Sequence, residues 1–161
     1  MKKIVCFLLS LLILFAGGCQ EQMTCKSLET TFSENSALFI AAANAILDVP
    51  TERLSHIQKE EPQNAQIDAA QIGQLFFWGA EEASREEYEK LYPLVEPLFS
   101  NHLINGIAYS PYQIQFAVQL YWGKEASIIF VYADQEPSGS FPHKEEQKQI
   151  SEGWYALIAT D

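Results

Sequence analysis

From Gln113 to Trp122 apolar and polar positions alternate, with Ile114, Phe116, Val118, Leu120 and Trp122 on one parity and mainly glutamine on the other. A period of two predicts a half-buried strand. Gly123-Lys124 predicts a type II′ turn with glycine first, and Glu125 to Ala133 the return strand. That turn pairs Trp122 with Glu125, Leu120 with Ser127, Val118 with Ile129 and Phe116 with Val131 on one face. The reverse face then holds Tyr121 opposite Ala126, Gln119 opposite Ile128, Ala117 opposite Phe130 and Gln115 opposite Tyr132. Gly153 to Ala159 predicts a last strand, and the polar stretch Asp134 to Ile150, with Pro137, Gly139 and Pro142, a long loop.

Upstream the period is helical. Thr31-Phe32-Ser33-Glu34 fits a capping box, and Leu38, Ala42, Ala45 and Val49 follow at helical spacing until Pro50 stops the element. Thr51 to Lys59 reads as a short second helix and Glu60 to Asn64 as a loop. Ile67 to Gly79 carries another apolar stripe; helix is preferred there, although Leu75-Phe76-Phe77-Trp78 also suits a strand. Ser84-Arg85-Glu86-Glu87 is a second capping box, Glu86 and Lys90 an i,i+4 pair, and Tyr88, Leu91, Tyr92, Val95, Leu98 and Phe99 a buried stripe. Pro93 is expected to kink this helix or to start a new segment. The whole predicts one α+β domain over residues 31–161: N-terminal helices packed on one face of a C-terminal antiparallel β-sheet meander.

Ahead of that domain, Lys2 and Lys3 precede an uncharged run, Ile4 to Ala16, and then Gly17, Gly18 and Cys19. The run is shorter than the about 20 apolar residues a spanning helix needs. It matches the core of a secretory signal peptide, about 7–15 residues. Ala16-Gly17-Gly18-Cys19 resembles the lipobox of bacterial prolipoproteins, which usually carry Leu where Ala16 stands. The resemblance implies a diacylglyceryl group on the Cys19 thiol, cleavage before Cys19 and acylation of the new amine. Residues 1–18 are then a leader and residues 19–30 a lipidated cysteine and tether. Each buried methylene contributes about 0.8 kcal/mol, so two or three chains would hold the protein at the cell membrane on its extracytoplasmic face. Ordinary cleavage after Gly18, leaving an unmodified thiol, is the other reading.

Charge narrows the partners. Lys2 and Lys3 leave with the leader, so eight basic residues face twenty-one acidic ones and the mature net charge is −13. Such a balance argues against nucleic acid and against lying flat on an anionic membrane. Cys6 leaves too, and Cys25, placed in the tether, reads as an incidental thiol.

Catalytic signatures are missing from the sequence. It has no glycine-rich phosphate loop, no zinc-spaced cysteines, no His-Glu-x-x-His and no Gly-x-Ser-x-Gly. His56, His102 and His143 are scattered; His102 suits a helix C-terminus and His143 a solvated loop. Glu81, Glu82, Glu86, Glu87 and Glu89 lack the spacing and turn glycine of a calcium loop and read as a solvated helix start. No cofactor or metal is expected. On the reverse face of the hairpin, two readings stay open. Tyr121, Ile128, Phe130 and Tyr132 are either core or a concave ligand or partner surface, since aromatics beside glutamines offer area and hydrogen bonds together.

Ser84 to Asn101, Gln113 to Ala133 and Gly153-Trp154-Tyr155, in that order, resemble the helix, hairpin and final strand of NTF2-like and cystatin-like folds. The resemblance implies a cone-shaped pocket between helices and sheet, and no catalytic pair of those families can be placed here. The expected function is a membrane-anchored, non-catalytic module that binds an envelope protein or a small ligand. An NTF2-like enzyme and a structural role in envelope assembly are the alternatives.

Overall fold

Thr24, rather than Thr31, caps the first helix in the computed structural model, which describes residues 23–63, 69–81, 84–121 and 123–161. Thr24 Oγ1 accepts from the Ser27 amide at 3.2 Å and Ser27 Oγ accepts from the Thr24 amide at 3.0 Å, a reciprocal cap. Helix α1 (Cys25–Leu47) follows and buries Cys25, Leu28, Phe32, Phe39, Ala42, Ala43 and Ile46. The expected tether is therefore corrected at its end: residues 25–30 are helix, and Cys25 is core. The Thr31 signal marks an interruption instead of a start. Thr31 Oγ1 donates back to the Ser27 carbonyl at 3.1 Å, and Asn35, at φ −124° and ψ 18°, donates to the Thr31 carbonyl at 2.9 Å. Polar side chains that bond to the backbone compete with the helix ladder, and the helix kinks there.

The segments expected as the second and third helices are strands. β1 is His56–Gln58, β2 Ala70–Ile72 and β3 Leu75–Trp78. Gly73, at φ +60°, opens the two-residue connection that pairs Ile72 with Leu75. A left-handed residue there matches a hairpin and breaks a helix. Spacing alone fits both structures; the short apolar run between Gly73 and Gly79 decides for strand. The part of that expectation on residues 64–68 lies outside the described residues.

Helix α2 (Arg85–Ser100) has the predicted capping box, with Ser84 Oγ accepting from the Glu87 amide at 3.3 Å and Glu87 Oε2 from the Ser84 amide at 3.0 Å. It runs through both Pro93 and Pro97, so the expected restart at Pro93 does not occur. The two missing donors sit one above the other at i,i+4, on a side of the helix that is not fully buried. A Schellman motif ends the helix: Leu103 N–H reaches the Leu98 carbonyl at 3.0 Å, His102 N–H the Phe99 carbonyl at 3.1 Å, and His102 takes φ 56°.

The chain is α+β: among the described residues, two helices accompany one antiparallel sheet of eight strands, in the order β2-β3-β1-β4-β5-β6-β8-β7. The remaining strands are β4 (Gly106–Tyr109), β5 (Gln113–Tyr121), β6 (Lys124–Val131), β7 (His143–Ser151) and β8 (Trp154–Thr160). β7 replaces most of the expected polar loop. It is an edge strand whose side chains are nearly all exposed, so pairing with β8 holds it and no apolar period betrays it.

The hairpin register also differs. Tyr121 pairs with Lys124 and Leu120 with Glu125; a bulge then leaves Val118 unpaired, and Ala117 pairs with Ser127 and Phe116 with Ile128. One inserted residue reverses the faces beyond it. Ile128 and Phe130 therefore share a face with Ile114 and Phe116, where α1 lies: Phe39 meets Phe116 edge-on at 5.3 Å, and Phe32 meets Trp154 at 4.8 Å. Ile129, Leu157 and Ala159 form a second small core on the opposite face, with Val131 and Phe141 against it.

Candidate functional site

Side-chain alternation divides the middle of the sheet. Ile57, Ile107 and Phe116 lie in one cross-strand row and enter the main core. Their neighbours form two rows on the other face, His56–Ala108–Gln115 and Gln58–Gly106–Ala117. Ala108, Gly106 and Ala117 are small, and His56, Gln58 and Gln115 are larger. The result is an open groove of about 210 Å³ across β1, β4 and β5, with Asn105 and Leu120 at its margins. Leu120 is 60 % exposed, unusual for a leucine inside a strand.

One wall is aromatic. The His56 imidazole stacks on the Trp78 indole at 5.1 Å and 9°. Although His56 keeps contact with solvent, the desolvation of its ring holds its pKa below the ordinary 6.5. Its Nδ1 lies 3.0 Å from Ser55 Oγ, which itself donates to the Trp78 carbonyl at 3.2 Å. The Trp78 carbonyl also accepts from the Ser55 amide at 2.8 Å, so Ser55 ties the imidazole to β3.

The opposite wall rests on a buried polar cluster. Gln115 Nε2 donates to Glu125 Oε1 and, at 3.1 Å, to Ser127 Oγ; Ser127 Oγ donates to Glu125 Oε1 at 2.6 Å. Glu125 and Ser127 are inaccessible, and Gln115 nearly so. The Ser140 amide donates to Glu125 Oε2 at 2.7 Å, and Gln113 bonds Ser138 through both its amide atoms. A strap over residues 134–142 is thereby fastened above the second core. Beneath it lies a cavity of about 380 Å³ bordered by Pro137, Phe141, Lys144 and Leu157.

The residues singled out in the sequence lie elsewhere. Ile128 is wholly buried in the main core. Phe130, half-buried, packs on Trp154 at 4.8 Å. Tyr132, also half-buried, donates from its hydroxyl to the Ser110 carbonyl, and desolvation pushes its pKa up. These three gather on the side where α1 lies because of the Val118 bulge; Tyr121 ends β5 opposite Lys124, apart from them. Cys19 lies outside the described residues. His102 and His143 are exposed, at a helix end and at the start of β7. Three residues of the acidic stretch are paired: Glu86 with Lys90 at 2.7 Å, Glu87 with Arg53 at 2.8 Å and Glu89 with Arg85 at 2.9 Å.

His56, Gln115, Glu125 and Ser127 were not recognisable as a set from sequence. Only the glutamine alternation on β5 hinted at them, and their convergence needs a register that the Val118 bulge conceals. Chemically the arrangement suits binding. Ser127 is sealed from solvent, and His56 bonds Ser55, three strands away from Ser127 and Glu125. Among the described residues no three His, Cys, Asp or Glu side chains converge as a metal site, and no helix is long and apolar enough to cross a membrane. No protein family, no curated protein and no solved structure matches this chain.

Proposed function

We propose that this chain is a lipid-anchored, extracytoplasmic binding protein whose ligand surface is the groove across β1, β4 and β5. In this reading α1 and α2 are the backing layer on one face of the sheet and leave the other face for recognition. The observation that carries it is the small-residue floor of Gly106, Ala108 and Ala117, flanked by His56, Gln58 and Gln115, with Gln115 held from behind by Glu125 and Ser127. Concave sites combine apolar area with a few polar groups of fixed direction, and a buried network fixes such a direction. Anchorage rests on the leader pattern ending at Cys19.

Two measurements test the two halves. Replacement of Cys19 by Ala is expected to abolish labelling by radioactive palmitate and to release the protein from membranes; unchanged labelling would remove the anchor. Protein-observed NMR with a panel of small cationic, anionic and neutral fragments is expected to shift His56, Ala108, Gln115 and Ala117 together. Hits confined to other surfaces would reject the groove.

A further inference from the structure

We propose that the groove takes a small organic cation carrying N–H donors, an alkyl- or aralkylammonium; this rests on the groove being the binding surface. The polar side chains around it direct their donors into the protein. Gln58 Nε2 donates to the Glu60 carbonyl at 2.7 Å and Asn105 Nδ2 to the Val118 carbonyl at 3.1 Å. Gln115 places both N–H groups on Glu125 and Ser127. Each partner that accepts from an amide fixes which end of that amide is nitrogen, because a carbonyl or a carboxylate cannot donate. The groove is left with Gln58 Oε1, Asn105 Oδ1 and Gln115 Oε1, all acceptors. Among the described residues none of these three atoms takes a hydrogen bond from the protein, and no lysine or arginine lines the groove.

A second observation concerns the group behind Gln115. Glu125 is buried, and among the described residues its hydrogen-bond donors are Gln115, Ser127 and Ser140. Its carboxyl group accepts from the Gln115 amide, and that hydrogen bond polarises the amide and strengthens Oε1 as an acceptor toward the groove. The His56 ring, backed by the Trp78 indole, adds a flat wall against which an aralkyl group can lie. The mature charge of −13 concentrates cations at the surface in general. The groove, about 210 Å³ and open to solvent, has room for one ring or a short chain.

The test is an NMR titration of the intact chain with four probes of like shape: benzylammonium, benzyltrimethylammonium, benzyl alcohol and benzoate. Benzylammonium is expected to give saturable shifts at Ala108, Gln115 and Ala117. Loss of donors or reversal of charge should weaken binding about tenfold or more. Gln58→Leu, a half-buried side chain outside the cluster, should weaken benzylammonium about fivefold with the fold intact. Equal binding of benzoate or benzyltrimethylammonium at the same residues would overturn the ligand class and leave the groove standing. Tighter capture of a lysine peptide than of the free amine would overturn the small-molecule assignment in favour of a protein partner. Absence of saturable shifts at the groove with all four probes would overturn both the class and the groove.

Discussion

The amide of Ser140 donates to Glu125 Oε2 at 2.7 Å, so the strap is bonded to a carboxylate buried inside the sheet. Gln115 and Ser127 donate to the other oxygen, and the carboxylate thus organises one wall of the groove and the strap together. Glu125→Ala leaves three donors without their acceptor, and a loss of roughly 3 kcal/mol is expected. Glu125→Gln keeps the volume but turns an N–H toward a donor, with about half that loss expected. Denaturant unfolding measures the stability, and limited proteolysis within residues 134–142 should accelerate in the same order.

His102 holds φ 56° at the end of α2. Histidine tolerates the left-handed region better than most residues, yet glycine adopts it without a Cβ penalty. His102→Gly should therefore stabilise the protein by about 0.5–1 kcal/mol, read as a raised Tm. A lowered Tm would show that the imidazole makes a contribution of its own.

Burial, with Glu146 nearby, pushes the Cys25 thiol from 9.0 up to about 11. The thiol donates to the Ala156 carbonyl at 3.4 Å, within the core. Native protein should resist maleimide, and denaturant should expose the thiol to it. The sign of the pH effect follows from linkage. Below pH 9.0 the thiol is protonated in both states; between 9.0 and about 11 only the unfolded chain ionises, so stability falls as pH rises. Cys25→Ala should flatten that part of the profile.

His56 works in the opposite direction. Desolvation holds its folded pKa below 6.5, so just under pH 6.5 the unfolded chain takes the proton first. Stability should fall as pH drops through this window and level off below the folded value. Denaturant midpoints on either side of pH 6.5, compared with those of His56→Gln, measure the contribution; identical slopes would show that the ring is not desolvated.

The parts of this fold that were legible from sequence are those where a pattern has one physical meaning. Ser84 and Glu87 can cap each other only at a helix start, and the stripe from Tyr88 to Phe99 fits only a helix face. The alternation on β5 and the apolar β8 read correctly as strands. Illegible were the places where tertiary structure decides. Strand β7 has polar residues on both faces because it sits at an edge. The run Leu75 to Trp78 is too short for periodicity to separate helix from strand. Thr31 to Glu34 look like a helix start, and the chain instead bends a longer helix at Asn35. The site was least legible: a single bulge at Val118 moves Ile128 and Phe130 into the main core and puts Gln115 beside Glu125 and Ser127. No local signal announces such an insertion.

Gly106 offers the most direct test of the groove. A Cβ there would meet only the Ile57 carbonyl oxygen, at 3.7 Å, an ordinary contact. Gly106→Leu should therefore fold normally while its side chain fills the floor between Gln58 and Ala117. The decisive measurement is the benzylammonium titration of this variant, followed by NMR. Loss of the saturable shifts, with dispersion of the spectrum retained, is the predicted result. Binding that persists unchanged in a folded Gly106→Leu protein would contradict the groove as the site of recognition.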